Sequence, residues 1–281
     1  MEQDGLVAID VGSKELVVKL ILANQTTFQK IFINDNKGHK NLTKWLKKQG
    51  KTFRVCLEAT GVYYLNAALF LYHAGFEIMV VNPRGIKNFA KAMMKRAKTD
   101  KVDTDTILNY LQRMPFQKWA PPCEKVLQLQ YIARRIRQLK KEMTREKNRH
   151  HALQFCAEAA FVKNDVEANI RHSEKRIQRL LAKAFEIIKS DASLQKIFNL
   201  LCSTKGIAEL SALSIMAEIL TLPIDMQADQ WVAYAGLDPR AHESGTSINL
   251  PRRISKTGNY YLRAAIYIPA LVAIQYDAKT K

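Results

Sequence analysis

The chain has 281 residues, 47% hydrophobic and 25% charged, the balance of a globular protein long enough to bury more than one core. Forty-four Lys and Arg against 26 Asp and Glu leave a formal charge of +18, a field that gathers polyanions, so nucleic acid is the expected partner and an anionic membrane surface the second. No apolar run approaches the roughly 20 residues that cross a bilayer, and MEQDGLVAID lacks the order of a secretory signal; a cytoplasmic protein with no membrane partner is expected.

GLVAIDVGSKELVVKLILA is rich in β-branched residues around a Gly12–Ser13 turn, and predicts two strands; TTFQKIFIND predicts a third. NDNKGHK reads as loop. Leu42, Trp45 and Leu46 are at helical spacing before Gly50, FRVCLEA reads as a short buried strand, and VYYLNAALFLYHAG as an apolar helix closed by Gly75. After the strand FEIMVVN, an amphipathic helix is predicted from Pro83. Ile86, Phe89, Ala90, Met93 and Ala97 form its apolar stripe, with Arg84, Lys87, Lys91, Lys95 and Lys98 on the other side. Three strands followed by alternating helix and strand imply an α/β sheet of mixed pairing.

MPFQKWAPPC (114–123) is a Pro-containing break and a boundary. Beyond it, 124–160 and 164–190 are polar and helix-prone; Leu127, Tyr131, Leu139 and Met143 have irregular spacing, which suits a helical hairpin or coiled coil better than a compact core. Arg134, Arg135, Arg137, Lys140, Lys141, Arg145 and Arg149 make this stretch basic, either as a solvated face or as a nucleic-acid contact. Near Leu194 a third region begins. Gly206 precedes an apolar helix, as in the second half of a helix–hairpin–helix or in a plain helix start. A polar Gly/Ser/Pro loop then separates helical segments. Cys56, Cys123, Cys156 and Cys202 form no CxxC pair, and no zinc module is expected.

The chemistry concentrates in acids. Asp10 interrupts an apolar strand, Glu58 ends a buried one, and Asp100 and Asp103 share one face of a helix start. If the sheet brings Asp10 and Glu58 together, all four could surround one or two Mg²⁺ ions, with the lysines around Asp100 meeting DNA phosphates. Each acid also has a plain structural reading: Asp10 in a turn, Glu58 paired with Arg54, Asp100 and Asp103 as helix-start acids. Asp105, two residues from Asp103, points off that face. The Asp10-Val-Gly-Ser run also resembles the first phosphate motif of actin-like kinases, but later glycine motifs are missing.

AIDVGSKE, LEATGVYY, VVNPRGIKNFAKAMMKRAKTDKVDTDTIL and GLDPRAHESGTSINLPRRISKTGNYYLR, in this order, resemble the DEDD-motif transposases of bacterial insertion sequences, the group that includes the pilin-gene invertase. The resemblance implies an RNase H-like, Holliday-junction-resolvase-like domain over 1–118, a helical coiled-coil connector over 119–192 and a mainly α transposase domain over 193–281. It implies Mg²⁺ on Asp10, Glu58, Asp100 and Asp103, and Ser244 as the nucleophile that forms a phosphoserine link, with Ser247 the alternative. It also implies DNA ends and target as substrates, a structured noncoding guide RNA, and work as a homo-oligomer, a dimer or tetramer. Arg252, Arg253 and Lys256 follow Ser244 and are candidates to hold the scissile phosphate. Two departures stand: Pro251 and Arg252 replace the glycine that commonly precedes the RIS segment, and the family pattern extends about one helix beyond YDAKTK, which is compatible with a truncated or decayed copy. The rival readings are a Mg²⁺-dependent structure-specific nuclease, and an inactive nucleic-acid-binding remnant.

Overall fold

The computed structural model describes residues 4–50, 52–94, 100–223, 225–240, 243–244, 248–249 and 253–278, with the backbone alone at 100–102, 240, 243–244 and 248–249. It divides into two compact units, Met1–Pro121 and Pro122–Lys281.

The first unit is built on a five-stranded sheet, ordered β3-β2-β1-β4-β5. β1 (Gly5–Val11) and β2 (Glu15–Leu22) form an antiparallel hairpin, in register from Gly5–Leu22 to Val11–Leu16, and β3 (Thr27–Ile33) pairs antiparallel with β2. β4 (Phe53–Glu58) lies parallel to β1, and β5 (Glu77–Val81) parallel to β4. The mixed sheet is as expected from the order of elements.

Alternation along the central strands supplies two cores. Val7, Ile9, Val11, Phe53, Val55 and Leu57 share one face, packed with Leu42 and Leu46 of α1 (Asn36–Gln49) and with Ala67, Ala68 and Leu71 of α2 (Tyr64–His73). Ala8 and Cys56 lie on the other face. There they meet Ile86 of α3 (Pro83–Ala92) and Ile107, Leu108 and Leu111 of α4 (Asp100–Arg113). Burial on both faces explains why β1 and β4 read as near-continuous apolar runs, and why Asp10 stands out in one of them.

Two boundaries differ from expectation. α1 starts at Asn36, inside the stretch read as loop, because Asp35 caps it by accepting from the Gly38 amide at 2.6 Å. α3 ends at Ala92, followed by Met94 in the left-handed region at φ 55°, so the helix stops before Ala97. Lys95, Ala97 and Lys98 lie outside the described residues.

The second unit opens with an antiparallel hairpin of α5 (Glu124–Leu153) and α6 (Ala160–Lys189). Lys125 reaches the Ser190 carbonyl at 3.1 Å at one end, and His150 meets Glu167 at 2.8 Å near the other. The buried stripe of α5 is Val126, Leu129, Ala133, Ile136 and Leu139, spaced by threes and fours, whereas Tyr131 is 49% exposed. Of the apolar residues named from the sequence, Leu139 is on this stripe and Met143 packs against it, while Leu127 and Tyr131 lie off it. α7 (Ala192–Ser203) and α8 (Glu209–Ile219) bury Leu194, Phe198, Leu213 and Met216 against the same stripe and against Ile177 and Ile188 of α6. One half of the hairpin thus shares a four-helix core.

α9 (Ala228–Ala235) and α10 (Tyr260–Tyr276) complete the unit. Gly206 has φ 92°, and a Cβ there would sit 2.8 Å from the Pro269 carbonyl oxygen of α10. Close helix packing thus accounts for that glycine without a phosphate. The segment read as a polar loop holds two short antiparallel ladders: β6 (Pro239–Arg240) with β9 (Arg253–Ile254), and β7 (Glu243–Ser244) with β8 (Ile248–Asn249).

Leu57→Ala, at a fully buried site, is expected to cost about 2–5 kcal/mol, while Ile31→Ala on the open edge strand costs less than about 0.5 kcal/mol, both read by urea unfolding. Asp191 caps α7 through the Ser193 and Leu194 amides, and these bonds hold its carboxyl below the ordinary 3.8, led by Leu194 and helped by Lys125. A depressed pKa contributes stability above the unfolded value that is lost as pH falls through the folded one. Asp191→Ala therefore lowers the melting temperature at pH 7, and the gap from wild type closes below about pH 3.8 in a thermal scan across pH.

Candidate functional site

Asp10 is the sixth residue of β1 and Glu58 the last of β4. These strands run parallel, with Ile9 beside Leu57; one further step sets Asp10 beside Glu58. Adjacent strands lie about 4.8 Å apart and neighbours in register share a face, so the two carboxylates emerge side by side at the strands' C-terminal ends. Their face is that of Ala8 and Cys56, the one α4 covers.

The direction of α4 follows from its contacts. Gln112 near its end lines a pocket with Gly5, Leu6, Ile21 and Leu22, where β1 begins. Asp105 forms an ion pair with Lys19, which lies opposite Ala8 in the middle of β1. α4 therefore runs against β1, and its first turn points toward the end that carries Asp10. Asp103 is four residues before the fully buried Ile107, on the stripe that faces the sheet. Asp100 is the first residue of α4, and its side chain lies outside the described residues.

The plain readings fare differently. Arg54, a candidate partner for Glu58, is engaged by Glu77 at 3.4 Å and stacks over Phe116. Glu58 accepts a bond of 3.4 Å from the Thr60 hydroxyl. Asp105 is a structural acid, paired with Lys19. Beneath Glu58, the Cys56 thiol is pushed up to about 12, first by burial and then by the Glu58 charge, so it stays protonated and unreactive. Among the described residues, no three His, Cys, Asp or Glu side chains are grouped closely enough to hold a metal ion. The donor set nonetheless suits a hard cation: oxygen ligands only, with Asp10, Glu58 and Asp103 partly exposed and the first two in adjacent register.

Sequence reasoning missed Asn34. Its side-chain amide donates to the Gly12 carbonyl at 2.8 Å and to the Tyr63 carbonyl at 3.2 Å. It thereby ties the turn after Asp10 to the loop after Glu58. Its Oδ1 accepts from His39 Nε2 at 2.7 Å. His39 is buried against Phe70, and burial lowers its pKa, so the neutral ring donates through Nε2. An Asn next to a capping Asp was the available signal, but it reads as turn chemistry.

The cations fall in two places. Arg84, Lys87 and Lys91 are exposed on α3, which starts just after β5, beside the strand that ends at Glu58. Arg253 and Lys256 are exposed in the second unit, and Arg252 lies outside the described residues. Ser244 is the second residue of β7, opposite Ile248; its side chain is not among those described, and Ser247 lies outside them. The flanks of this segment are joined firmly. The Ser255 hydroxyl donates to Asp238 at 2.6 Å, and the Asn259 amide to the Tyr234 carbonyl at 2.6 Å. A Cβ on Gly258 would come 2.3 Å from that carbonyl oxygen, so only glycine fits. GLDP and SKTGN are thus two sides of one closure around the serine-bearing residues.

Comparisons with known proteins identify the family. Residues 7–154 match the profile of the DEDD transposases of the IS110 group, described as a transposase, and residues 198–281 match the transposase IS116/IS110/IS902 family. A pilin gene-inverting protein of Moraxella bovis is 27% identical over 95% of this chain and 82% of its own length. That of Moraxella lacunata is 28% identical over 86% and 74%. Among solved structures, Thermus thermophilus RuvC covers 41% of this chain and 99% of its own, at 13% identity and a TM-score of 0.30, too low to carry an argument. No helix among the described residues is long and apolar enough to cross a membrane. With the first profile spanning more than half of the chain and the second covering its end, the chain belongs to the IS110 family of DEDD transposases and is a DNA transposase/recombinase.

Proposed function

We propose that this enzyme cuts and rejoins DNA with a Mg²⁺-binding carboxylate site on Asp10, Glu58, Asp100 and Asp103 and a serine nucleophile, Ser244. The observation that carries the reading is the adjacency of Asp10 and Glu58 on parallel strands, with the start of α4 directed toward them. The strand order, with a three-stranded antiparallel meander extended by two parallel strands, supports an RNase H-like domain over 1–118. The connector over 119–192 and the transposase domain over 193–281 complete the reading.

Divalent ions held by these acids would neutralise the scissile phosphate and the oxygens entering and leaving its phosphorus. The chain's own groups do the rest. Asp10 and Glu58 are held by a sheet, whose rigidity fixes their spacing, and Asn34 keeps the two following loops in place. Arg84, Lys87, Lys91, Lys95 and Lys98 bind the flanking phosphates. Ser244 Oγ forms a bond to phosphorus as the bond from phosphorus to one strand end breaks. The hydroxyl proton passes by way of a base to the departing oxygen, so the strand end leaves as an alcohol. The phosphodiester energy is conserved in the serine ester, so rejoining needs no nucleotide. Arg252, Arg253 and Lys256 hold the phosphate during transfer. A structured guide RNA directs the choice of DNA, and the enzyme works as a homo-oligomer.

The test incubates the protein with Mg²⁺, the ends of its element and the RNA flanking its gene. A covalent protein–DNA adduct is expected, which Ser244→Ala abolishes and Ser247→Ala leaves; an adduct that survives Ser244→Ala overturns the assignment. Mg²⁺ at about 100 times its dissociation constant is expected to stabilise the fold by about 2.7 kcal/mol, an increment that Asp10→Asn or Glu58→Gln removes in thermal melts with and without chelator. Asn34→Ala is expected to weaken Mg²⁺ about tenfold by calorimetry, with Asn24→Ala in the exposed β2–β3 turn as the silent control.

A further inference from the structure

We propose that the cleft between α5, α8 and α10 is a binding site for single-stranded nucleic acid, with an unpaired base against Tyr260 and the adjoining phosphates on Lys140 and Lys141. The proposal rests on the reading of the chain as a nucleic-acid enzyme and concerns residues other than the four acids and Ser244.

The cleft has a volume of about 410 Å³, within the range of small-ligand pockets and enough for one unstacked nucleotide. Helical spacing puts Arg134, Arg137, Lys140, Lys141 and Thr144 of α5 along one wall. The floor is built rather than incidental. Glu218 of α8 is 1% exposed and accepts from Arg134 Nε at 2.7 Å and Nη2 at 2.8 Å. It also accepts from Gln130 at 3.3 Å and from Asn259 at 2.7 Å, and Asn259 caps α10 at the point where Tyr260 begins. A buried carboxylate satisfied in this way fixes three helices and neutralises Arg134 alone. Arg137, Lys140 and Lys141 therefore stay in excess.

Their settings differ. Arg137 donates to the Tyr260 hydroxyl at 3.0 Å and stacks on its ring at 4.9 Å, holding the ring at the cleft. Lys140 and Lys141 are exposed, and neither makes an ion pair with a carboxylate among the described residues. Tyr260 is 52% exposed, so ring surface remains open to a ligand. Cations that track phosphates beside an aromatic face are the combination that binds unpaired strands, since every base offers a π surface. A duplex keeps its bases stacked and cannot present one. A merely solvated basic helix face would need neither the half-exposed tyrosine nor the buried acid that positions its helix.

The test is fluorescence anisotropy of the full chain with a short labelled DNA strand, its RNA counterpart and the DNA duplex, each over a salt series. Tyr260→Ala is expected to weaken single strands about tenfold and to leave the duplex unchanged, while Tyr260→Phe keeps the affinity. Lys140→Gln with Lys141→Gln is expected to lower the slope of log affinity against log salt by about 1.4 for single strands. The strand type that shows the tenfold loss identifies RNA or DNA as the ligand. Wild-type single-strand binding in all variants, or equal losses on single strand and duplex, overturns the site but leaves the functional reading intact. If the wild-type chain binds none of the three, the functional reading fails as well. These side chains are solvent-exposed, and matching thermal melts confirm that the variants fold.

Discussion

Two carboxylates set side by side at the ends of adjacent parallel strands are the constraint on which the first unit turns. Asp10 and Glu58 owe their proximity to register, not to side-chain flexibility. Like charges that close are costly unless a cation or donors offset them. Thr60 does part of this by donating to Glu58, while Asn34 holds the loops that follow both acids. The apolar layers on both faces make the arrangement rigid, since a shift of either strand would break the core of Val7, Ile9, Val55 and Leu57.

The second unit solves a different problem with the same economy of buried charge. Glu218 is the acid at its centre, and four donor groups from Gln130, Arg134 and Asn259 satisfy it. Such a cluster contributes little net stability compared with an apolar equivalent, yet it fixes how α5, α8 and α10 meet. The closure of GLDP on SKTGN depends on that arrangement, because Asn259 belongs to both. Residues that carry Ser244 are thus anchored by a polar network that begins in α5.

Much of the sheet was legible in the sequence because alternation and β-branching are local signals. LVAID and FRVCLEA each placed an acid at the end of a buried run, but their parallel pairing was not legible, because β2, β3 and α1 lie between them in the chain and only the sheet order sets β4 beside β1. α1 began earlier than read, since Asp35 among Asn, Lys and Gly looks like turn chemistry until Gly38 is seen to bond to it. The α5 stripe was illegible because Tyr131 and Leu127 are as apolar as the residues that are buried, and only tertiary packing selects Val126 and Leu129. Asn34 and Glu218 were illegible for one reason: the Gly12 and Tyr63 partners of Asn34 lie 22 and 29 residues away, those of Glu218 lie 41 to 88 away, and no local pattern encodes them. The GLDP and SKTGN motifs announced themselves, but their meaning, a closure that only Gly258 permits, depends on a tertiary contact with the Tyr234 carbonyl that no local pattern encodes.

The central claim is that the acids of β1, β4 and α4 share divalent ions. Anomalous diffraction from crystals grown with Mn²⁺ in place of Mg²⁺ tests it most directly. The account predicts a peak bonded to carboxylate oxygens of both Asp10 and Glu58, with Asp100 or Asp103 completing the shell. A peak elsewhere, or Asp10 and Glu58 bare while Mn²⁺ occupies another site, would contradict it.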